Sequence, residues 1–167
     1  MIAALLLVLA APQTPTPLPT CGATPAALPA DLAGWIHGRS LTAAAKSRNV
    51  DSVTLQPGVR ADVALLASSQ VAYAFAPQKA SVPGSFGGML GIAATHAGTY
   101  RIALGSTAWV NVVGVGGKPL AAVAHTHGPD CTGVRKIVDF ALQRGSYIVQ
   151  IEGSSAPTIG VMVVAKA

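Results

Sequence analysis

Charged residues are scarce in this chain, and their scarcity excludes one broad class of partner. Only 10% of the 167 residues are Asp, Glu, Lys or Arg, and only 5% are aromatic. The formal net charge is +5, but the basic residues are scattered singly, apart from the adjacent pair Arg135-Lys136. Proteins that bind nucleic acid carry basic runs or stripes. We therefore expect no nucleic-acid partner and a surface made mostly of neutral residues.

Several motifs of nucleotide-binding and catalytic proteins are also missing. The sequence has no G-x-S-x-G motif and no C-x-x-C pair. The stretch "VVGVGGKPL" resembles a phosphate-binding loop only briefly. Val112 stands where that loop needs its first glycine, and Pro119 stands where it needs Ser or Thr. This stretch predicts a hairpin turn.

The apolar run at the N-terminus is too short to cross a membrane. It extends from Ile2 to Ala11 and stops at Pro12, whereas a transmembrane helix needs roughly twenty residues. Its length and its small terminal residues are typical of a secretory signal, although no Lys or Arg precedes it. We expect residues 1–11 to be a signal peptide, the mature protein to be periplasmic or secreted, and no transmembrane segment.

The chain has two cysteines, Cys21 and Cys131. In an oxidising compartment we expect them to form a disulfide, which in the chain-entropy model stabilises the fold by about 4–5 kcal/mol. Cys21 lies among six prolines in residues 12–30, and we predict a Pro-rich arm with short helical turns over residues 12–49. A lipid anchor at Cys21 is the alternative, but "LPT" is not the small-residue signal that a lipoprotein has.

From residue 50 onward, short apolar segments recur about every eight to twelve residues, separated by Gly, Pro, Ser and Asn. This spacing predicts an all-β fold, an antiparallel, jelly-roll-like β-sandwich over residues 50–167. The predicted strands are Ser52–Leu55, Val59–Leu66, Gln70–Ala76, Met89–Thr95, Thr99–Leu104, Ala108–Val113, Leu120–His125, Val134–Leu142, Ser146–Glu152 and Thr158–Ala165. We expect a loop over Gln78–Gly88.

A hairpin with its turn at Arg144-Gly145 follows from the alternation of apolar side chains. The apolar face would pair Leu142 with Tyr147, Phe140 with Val149, and Val138 with Ile151. Asp139 and Glu152 would then share the outer face. Two carboxylates can serve as the acid and base of a glycosidase, but here they are better explained as partners of Arg135 or Arg101.

A second predicted hairpin suggests a binding surface. A turn at residues 105–107 would place Trp109, Asn111 and Arg101 together on the outer face. An aromatic ring beside polar groups suits a sugar, so these three residues are our candidate carbohydrate-binding site. A two-residue turn would instead bury Trp109 beside Ile102.

The stretch "AVAHTHGPDC" is a candidate metal site. In an extended segment, His125 and His127 point to the same side, and imidazole binds Fe, Cu or Zn. A third ligand would have to be Asp130, or His96 from elsewhere in the chain. The alternative is a polar turn in which Asp130 caps backbone amides and a disulfide holds the loop.

The segments "AGTYRIALGSTAWVNVV", "HGPDC" and "RKIVDFALQRGSYIVQIEG" resemble a family of small exported bacterial proteins that are often labelled homogentisate 1,2-dioxygenase. That resemblance implies a metal-dependent dioxygenase. Enzymes with this activity are much longer, have a cupin-type core and hold iron with two His and a Glu. This chain has one Glu, Glu152, with no histidine near it in sequence. The C-terminal half is also similar to jelly-roll-like modules of secreted hydrolases, which mostly bind or stabilise.

Together these features predict an exported, non-enzymatic β-sandwich module that binds a carbohydrate or an envelope protein, or has a structural role, and needs no cofactor. The alternative is a small metal-dependent enzyme, a dioxygenase by the family label, that uses Fe, Cu or Zn.

Overall fold

The computed structural model describes Cys21, residues 26–77 and residues 82–166. The predicted signal peptide, most of the predicted arm before residue 26 and residues 78–81 of the predicted loop lie outside the described residues. The strands are β1 Gly38–Thr42, β2 Arg60–Ala64, β3 Leu66–Ala67, β4 Phe86–Ala94, β5 Gly98–Leu104, β6 Trp109–Val113, β7 Pro119–Leu120, β8 Ala122–His127, β9 Lys136–Leu142, β10 Gly145–Ser154 and β11 Thr158–Ala165. Four short 3₁₀ helices accompany them, η1 Ala30–Ile36, η2 Ser47–Ser52, η3 Ser68–Gln70 and η4 Val115–Gly117.

The strands form two sheets that pack face to face. The first sheet has six strands in the order β1-β2-β11-β5-β9-β8, and the second has five in the order β3-β4-β10-β6-β7. Neighbouring strands are antiparallel, except that β1 runs parallel to β2. The predicted all-β sandwich is confirmed.

The main core lies between the two sheets, and alternation along the strands builds it. Every second side chain of β5, β9 and β10 points inward, and each of these strands contributes large apolar residues that are at most 4% exposed. The inward residues of these three strands include Tyr100, Ile102, Leu104, Val138, Phe140, Leu142, Val149 and Ile151. Burial of such side chains from water, at about 25 cal/mol per Å² of apolar area, is the main force that holds the sheets together.

A smaller core covers the outer face of the first sheet. Leu32 and Trp35 of η1 are buried there against Ile137 and Met162. Gly34 allows this close approach, because a Cβ atom at that position would collide with the carbonyl oxygen of Gly58. The helix is therefore a fixed part of the sandwich.

The structure differs from the predicted connections in a consistent way. The segments on either side of Arg144-Gly145 do not form a hairpin, because β9 lies in the first sheet and β10 in the second. The same is true of β5 and β6, which flank residues 105–107. In both places the chain crosses from one sheet to the other. The predicted inner faces are correct, since the inward residues of all four strands belong to the main core, but their neighbours are different.

One predicted domain boundary and two predicted strands are also corrected. Strand β1 joins the first sheet, so the sandwich includes residues that the sequence assigned to the arm. The sequence of β1, "GRSLT", is polar and has no alternating apolar pattern that would predict a strand. Residues 52–55 are not a strand, because η2 ends at Ser52 and only Thr54 forms an isolated bridge. Gln70–Ala76 is not a strand either. In this segment the backbone of Phe75 pairs with the Gln150 side chain: the Phe75 N–H donates to the Gln150 amide oxygen, and the Gln150 amide nitrogen donates to the Phe75 carbonyl.

Cys21 and Cys131 form the predicted disulfide, which is thereby confirmed, with Cα atoms 5.4 Å apart. The bridge ties the start of the described chain to the turn between β8 and β9, where the Ala26 N–H also donates a 3.3 Å hydrogen bond to the Asp130 carbonyl. A disulfide is compatible with an oxidising compartment.

Candidate functional site

A groove opens at one edge of the sandwich, between β8 of the first sheet and β6 of the second. It encloses a cavity of about 520 Å³, and the residues that give it its chemistry are Trp109, His125, His127, Arg135 and Lys136. The groove exists because the two sheets end unequally. The short β7 covers only Val112 and Val113 of β6, whereas β8 extends the first sheet along six residues that are all exposed.

Trp109 is the most prominent side chain of the groove. It is 52% exposed, because the next residue of the strand, Val110, points into the core and successive side chains of a strand point to opposite faces. The ammonium nitrogen of Lys136 lies 4.9 Å from the centre of the Trp109 ring. An aromatic face attracts a cation at this distance, so the ring and the ammonium group form one unit.

Lys136 is held in a fixed position at the base of the groove. Its ammonium group donates a 3.1 Å hydrogen bond to the Ala108 carbonyl. Alternation along β9 places this side chain on the same side as Val138 and Phe140 of the core, at the point where the core ends. Burial lowers the pKa of Lys136, because a partly desolvated ammonium ion has lost part of its hydration.

The histidines of β8 form the opposite wall. His127 pairs with Lys136 and His125 pairs with Val138 across the strands, so both imidazoles lie on the side of β8 that faces the groove. Arg135 adds a fourth basic side chain to the groove, beside Lys136 and the two histidines. The lining, taken over the residues that the structure describes, contains no Asp or Glu. The groove is therefore basic, and the Trp109 ring forms part of its lining.

The three residues of the predicted carbohydrate site do not share one face. Trp109 and Asn111 both lie on β6, and Asn111 donates a 2.8 Å hydrogen bond to Glu152. Arg101 lies in the first sheet, on the other side of the sandwich. The prediction placed them together because it joined β5 and β6 in a hairpin; the crossing between sheets separates them. Trp109 is nevertheless exposed and not buried beside Ile102.

Arg101 belongs to an ion-pair network that we call the outer-face cluster, formed by Arg101, Asp139, Asp31 and Lys166. Arg101 donates to Asp31 at 2.8 Å and to Asp139 at 3.0 Å, and Lys166 donates to Asp139 at 3.2 Å. The hydrogen bond with Asp139 raises the pKa of Arg101. Because Asp31 lies in η1, the cluster fastens that helix to the sheet.

The two carboxylates considered as a glycosidase pair lie on opposite outer faces. Asp139 is in the first sheet, within the outer-face cluster. Its partner there is Arg101, one of the two arginines that the sequence suggested. Glu152 is in the second sheet, where it accepts hydrogen bonds from Asn111 and from Gln150 at 2.6 Å. Each carboxylate has its own structural partners, and the sandwich separates them.

The structure brings together two of the four predicted metal ligands. His125 and His127 share the groove, whereas Asp130 lies in the turn beside the disulfide. Asp130 lines a neighbouring cavity of about 500 Å³, to which His127 and Arg135 also contribute. His96 lies in the connection between β4 and β5, with its ring 5.7 Å from that of Tyr100. Among the described residues, no three or more His, Cys, Asp or Glu side chains are grouped closely enough to hold a metal ion.

Sequence reasoning missed the role of Lys136 and Arg135. Lys136 was noted only as part of an adjacent basic pair, and Arg135 only as part of that pair and as a possible partner of Asp139 or Glu152. The alternation along β9 could have indicated the site. Lys136 stands at the first of the inward positions of this strand, and the other inward positions hold Val138, Phe140 and Leu142. A cation at an inward position next to the end of a core marks an opening.

Within the described part of the chain, no helix is long and apolar enough to span a bilayer. A scan against protein-family models matches none of them, and a search of curated proteins finds no significant match. The class that the fold and the groove define is a β-sandwich with a basic, aromatic groove at its edge.

Proposed function

We propose that this protein is an exported, non-enzymatic binding module of the periplasm or envelope, and that the groove between β6 and β8 binds an acidic carbohydrate. The observation that supports this proposal is the exposed Trp109 ring with the Lys136 ammonium group fixed 4.9 Å from its centre. The disulfide is compatible with export to an oxidising compartment.

The chemistry of the groove suits a sugar that carries a carboxylate. The exposed part of the Trp109 ring offers an apolar surface to the C–H groups of a pyranose. The sugar carboxylate would accept charge-assisted hydrogen bonds from Lys136 and Arg135, and the imidazoles of His125 and His127 could donate further hydrogen bonds to the sugar. A volume of about 520 Å³ lies within the range of roughly 300–1,000 Å³ that is usual for small-ligand sites.

An acidic sugar suits the groove better than a neutral one because of the charge balance. A bound ligand removes more water from Lys136, and a desolvated cation is costly unless an opposite charge compensates it. The lining provides no carboxylate of its own within the described residues. A uronic acid would supply that charge, whereas its methyl ester would not.

Calorimetric titration can test the proposal with an oligogalacturonate and the same oligosaccharide as its methyl ester. We expect the acid to bind at least tenfold more tightly than the ester. Trp109→Ala should weaken both ligands, because it removes the stacking surface. Lys136→Met should weaken only the acid, because it removes a charge and keeps most of the side-chain volume.

Two variants outside the groove serve as matched controls. Ile36→Ala truncates another exposed apolar side chain, which is 67% exposed, and Lys118→Met removes another exposed lysine. Both should bind like the wild type. Equal affinity for acid and ester, or wild-type affinity in Trp109→Ala and Lys136→Met, would contradict the proposal.

A further inference from the structure

Within the residues that the structure describes, β8 is an edge strand of the first sheet. It lies last in the order of the first sheet, and the described residues pair with it on one side only, through β9. All six residues from Ala122 to His127 are exposed. An edge strand of this kind presents unpaired N–H and C=O groups that can bind another strand.

The same strand carries half of a metal site. His125 and His127 are two positions apart and lie on the side of β8 that faces the groove, with Val138 and Lys136 as their cross-strand partners. Two imidazoles are too few, because a structural zinc ion takes four ligands in a tetrahedral arrangement. Among the described residues of one chain, no third ligand is close enough to complete the site.

We propose that β8 pairs antiparallel with β8 of a second copy of this chain, about a two-fold axis at Thr126, and that the four histidines so assembled bind one Zn²⁺. In this register His125 of each copy lies opposite His127 of the other. Directly opposite residues have Cβ atoms about 4.5–5.5 Å apart. Four imidazoles at the corners of such a group can converge on one ion at the usual Zn–N distance of about 2.0–2.1 Å.

The register follows from the strand itself. An axis that passes between two residues would put the histidines of the two copies on opposite faces of the joined sheet. An axis at His125 would place His127 opposite Val123 and leave only one direct histidine pair. The axis at Thr126 is the one that places each histidine opposite another.

The surroundings favour this second copy as the occupant. The second sheet does not extend over β8, so the histidine side of this strand is open to the groove. The pairing is short, since the chain turns away after His127, and a two-stranded pairing of this length is marginal alone. Lys136 and Arg135 of each copy would also repel those of the other. The dimer therefore depends on zinc.

The test is a zinc titration of the full chain, exported to the periplasm and purified without a histidine tag, followed by sedimentation equilibrium. We expect the mass to double at one Zn²⁺ per two chains and to return to that of the monomer with EDTA. His125→Ala and His127→Ala should each remain monomeric. His96→Ala, which removes an exposed histidine in the connection between β4 and β5, should dimerise like the wild type.

A cysteine variant tests the register independently. Thr126→Cys should form a disulfide between copies under mild oxidation in zinc, because the two-fold axis brings this residue opposite itself. Thr95→Cys, which changes an exposed threonine elsewhere, should not. The proposal is wrong if the chain binds zinc as a monomer, if the His125 and His127 variants still dimerise, or if Thr126→Cys cross-links no faster than Thr95→Cys. Acidic-sugar binding by the monomer is measured separately without zinc, so the two proposals can fail independently.

Discussion

Two groups of charged residues on the first sheet are used in opposite ways. In the outer-face cluster, Arg101 and Lys166 lie against Asp139, and Arg101 also lies against Asp31. In the groove, Lys136 lies against an aromatic ring and a backbone carbonyl. The cations of the cluster are neutralised by the fold, whereas the groove keeps a positive charge that a ligand can neutralise.

The pKa shifts of the two cations express the same contrast. The pKa of Arg101 is raised by its hydrogen bond to Asp139, against the opposing effect of burial. The pKa of Lys136 is lowered by burial. A neighbouring carboxylate stabilises the charged form, and desolvation without one destabilises it. This difference separates a residue that holds the structure from one that is suited to bind an anion.

The largest expected effect is the loss of stability when the outer-face cluster is broken. Arg101→Met leaves Asp139, whose side chain is only 5% exposed, with the partly exposed Lys166 as its remaining partner. Removing one member of a buried ion pair is strongly destabilising, and we expect a loss of about 3 kcal/mol. Urea unfolding would measure this loss.

The matched control for this variant is Arg144→Met, which removes an exposed arginine and should change the free energy of unfolding by less than about 0.5 kcal/mol. Binding of oligogalacturonate should be unchanged in the folded Arg101→Met protein. Weaker binding in that variant would show that the two regions are coupled and would remove the contrast.

The next largest effect is a loss of ligand affinity that leaves the stability of the fold nearly unchanged. Lys136→Met should reduce the affinity for the acidic ligand about tenfold, since a charge-assisted hydrogen bond contributes about 1.5–3 kcal/mol. It should change the free energy of unfolding by less than about 1 kcal/mol, because removing a desolvated charge offsets the lost hydrogen bond to Ala108. A loss of stability as large as that of Arg101→Met would show that Lys136 is a structural residue.

The sequence predicted which side chains point inward and failed to predict which strands are neighbours. Val138, Phe140 and Leu142 were expected beside Tyr147, Val149 and Ile151. Five of these six residues lie in the main core, and the sixth, Tyr147, is partly buried and packs against it. They meet across the sandwich and not along one sheet. Alternation with a period of two is the same in both arrangements, and a short connection such as Gln143-Arg144 serves for either.

Because alternation does not determine which strands are neighbours, only part of the candidate site was predicted correctly. Trp109 was expected on an outer face and is exposed, because its place in the alternation is fixed by Val110 and Val112. Arg101 was expected beside it and lies on the other sheet. The groove itself arises from the unequal ends of two sheets, which depends on the sheet order and has no local pattern in the sequence.

The third effect is the acid sensitivity of the outer-face cluster. Burial raises the pKa of Asp139, but the hydrogen bonds and charges of Arg101 and Lys166 lower it more, so the pKa lies below its ordinary value. An unfolded aspartate titrates near pH 4. Because the folded pKa is lower, the contribution to stability is fully present above about pH 4 and is lost as the pH falls through the folded value.

Urea unfolding between pH 5 and pH 2, in roughly half-unit steps across the range where carboxylates titrate, would measure this loss. Asp139→Asn should be less stable than the wild type at pH 5, and the difference between the two should narrow as the pH falls. Asp51→Asn, which changes an exposed aspartate, should follow the wild-type curve. A constant difference between wild type and Asp139→Asn at every pH would contradict the assignment.

The smallest effect is an alkaline one, and it belongs to the groove. Burial lowers the pKa of Lys136, so the unfolded chain keeps this proton to a higher pH than the folded chain, up to about 10.4. In that window the unfolded state binds more protons, and stability should rise with pH. The rise should be missing in Lys136→Met and present in Arg101→Met, as unfolding at increasing pH would reveal.

Tyr73 limits the pH range in which the Lys136 effect can be measured, because burial raises the pKa of this tyrosine. A tyrosine whose folded pKa lies above its unfolded value of about 10 reduces stability as the pH rises past that value. The two groups therefore act with opposite signs, and the Lys136 effect must be sought below about pH 10. If Lys136→Met and wild type gain stability equally below about pH 10, burial does not lower the pKa of Lys136. The ammonium group is then well hydrated and does not need the negative charge of a ligand.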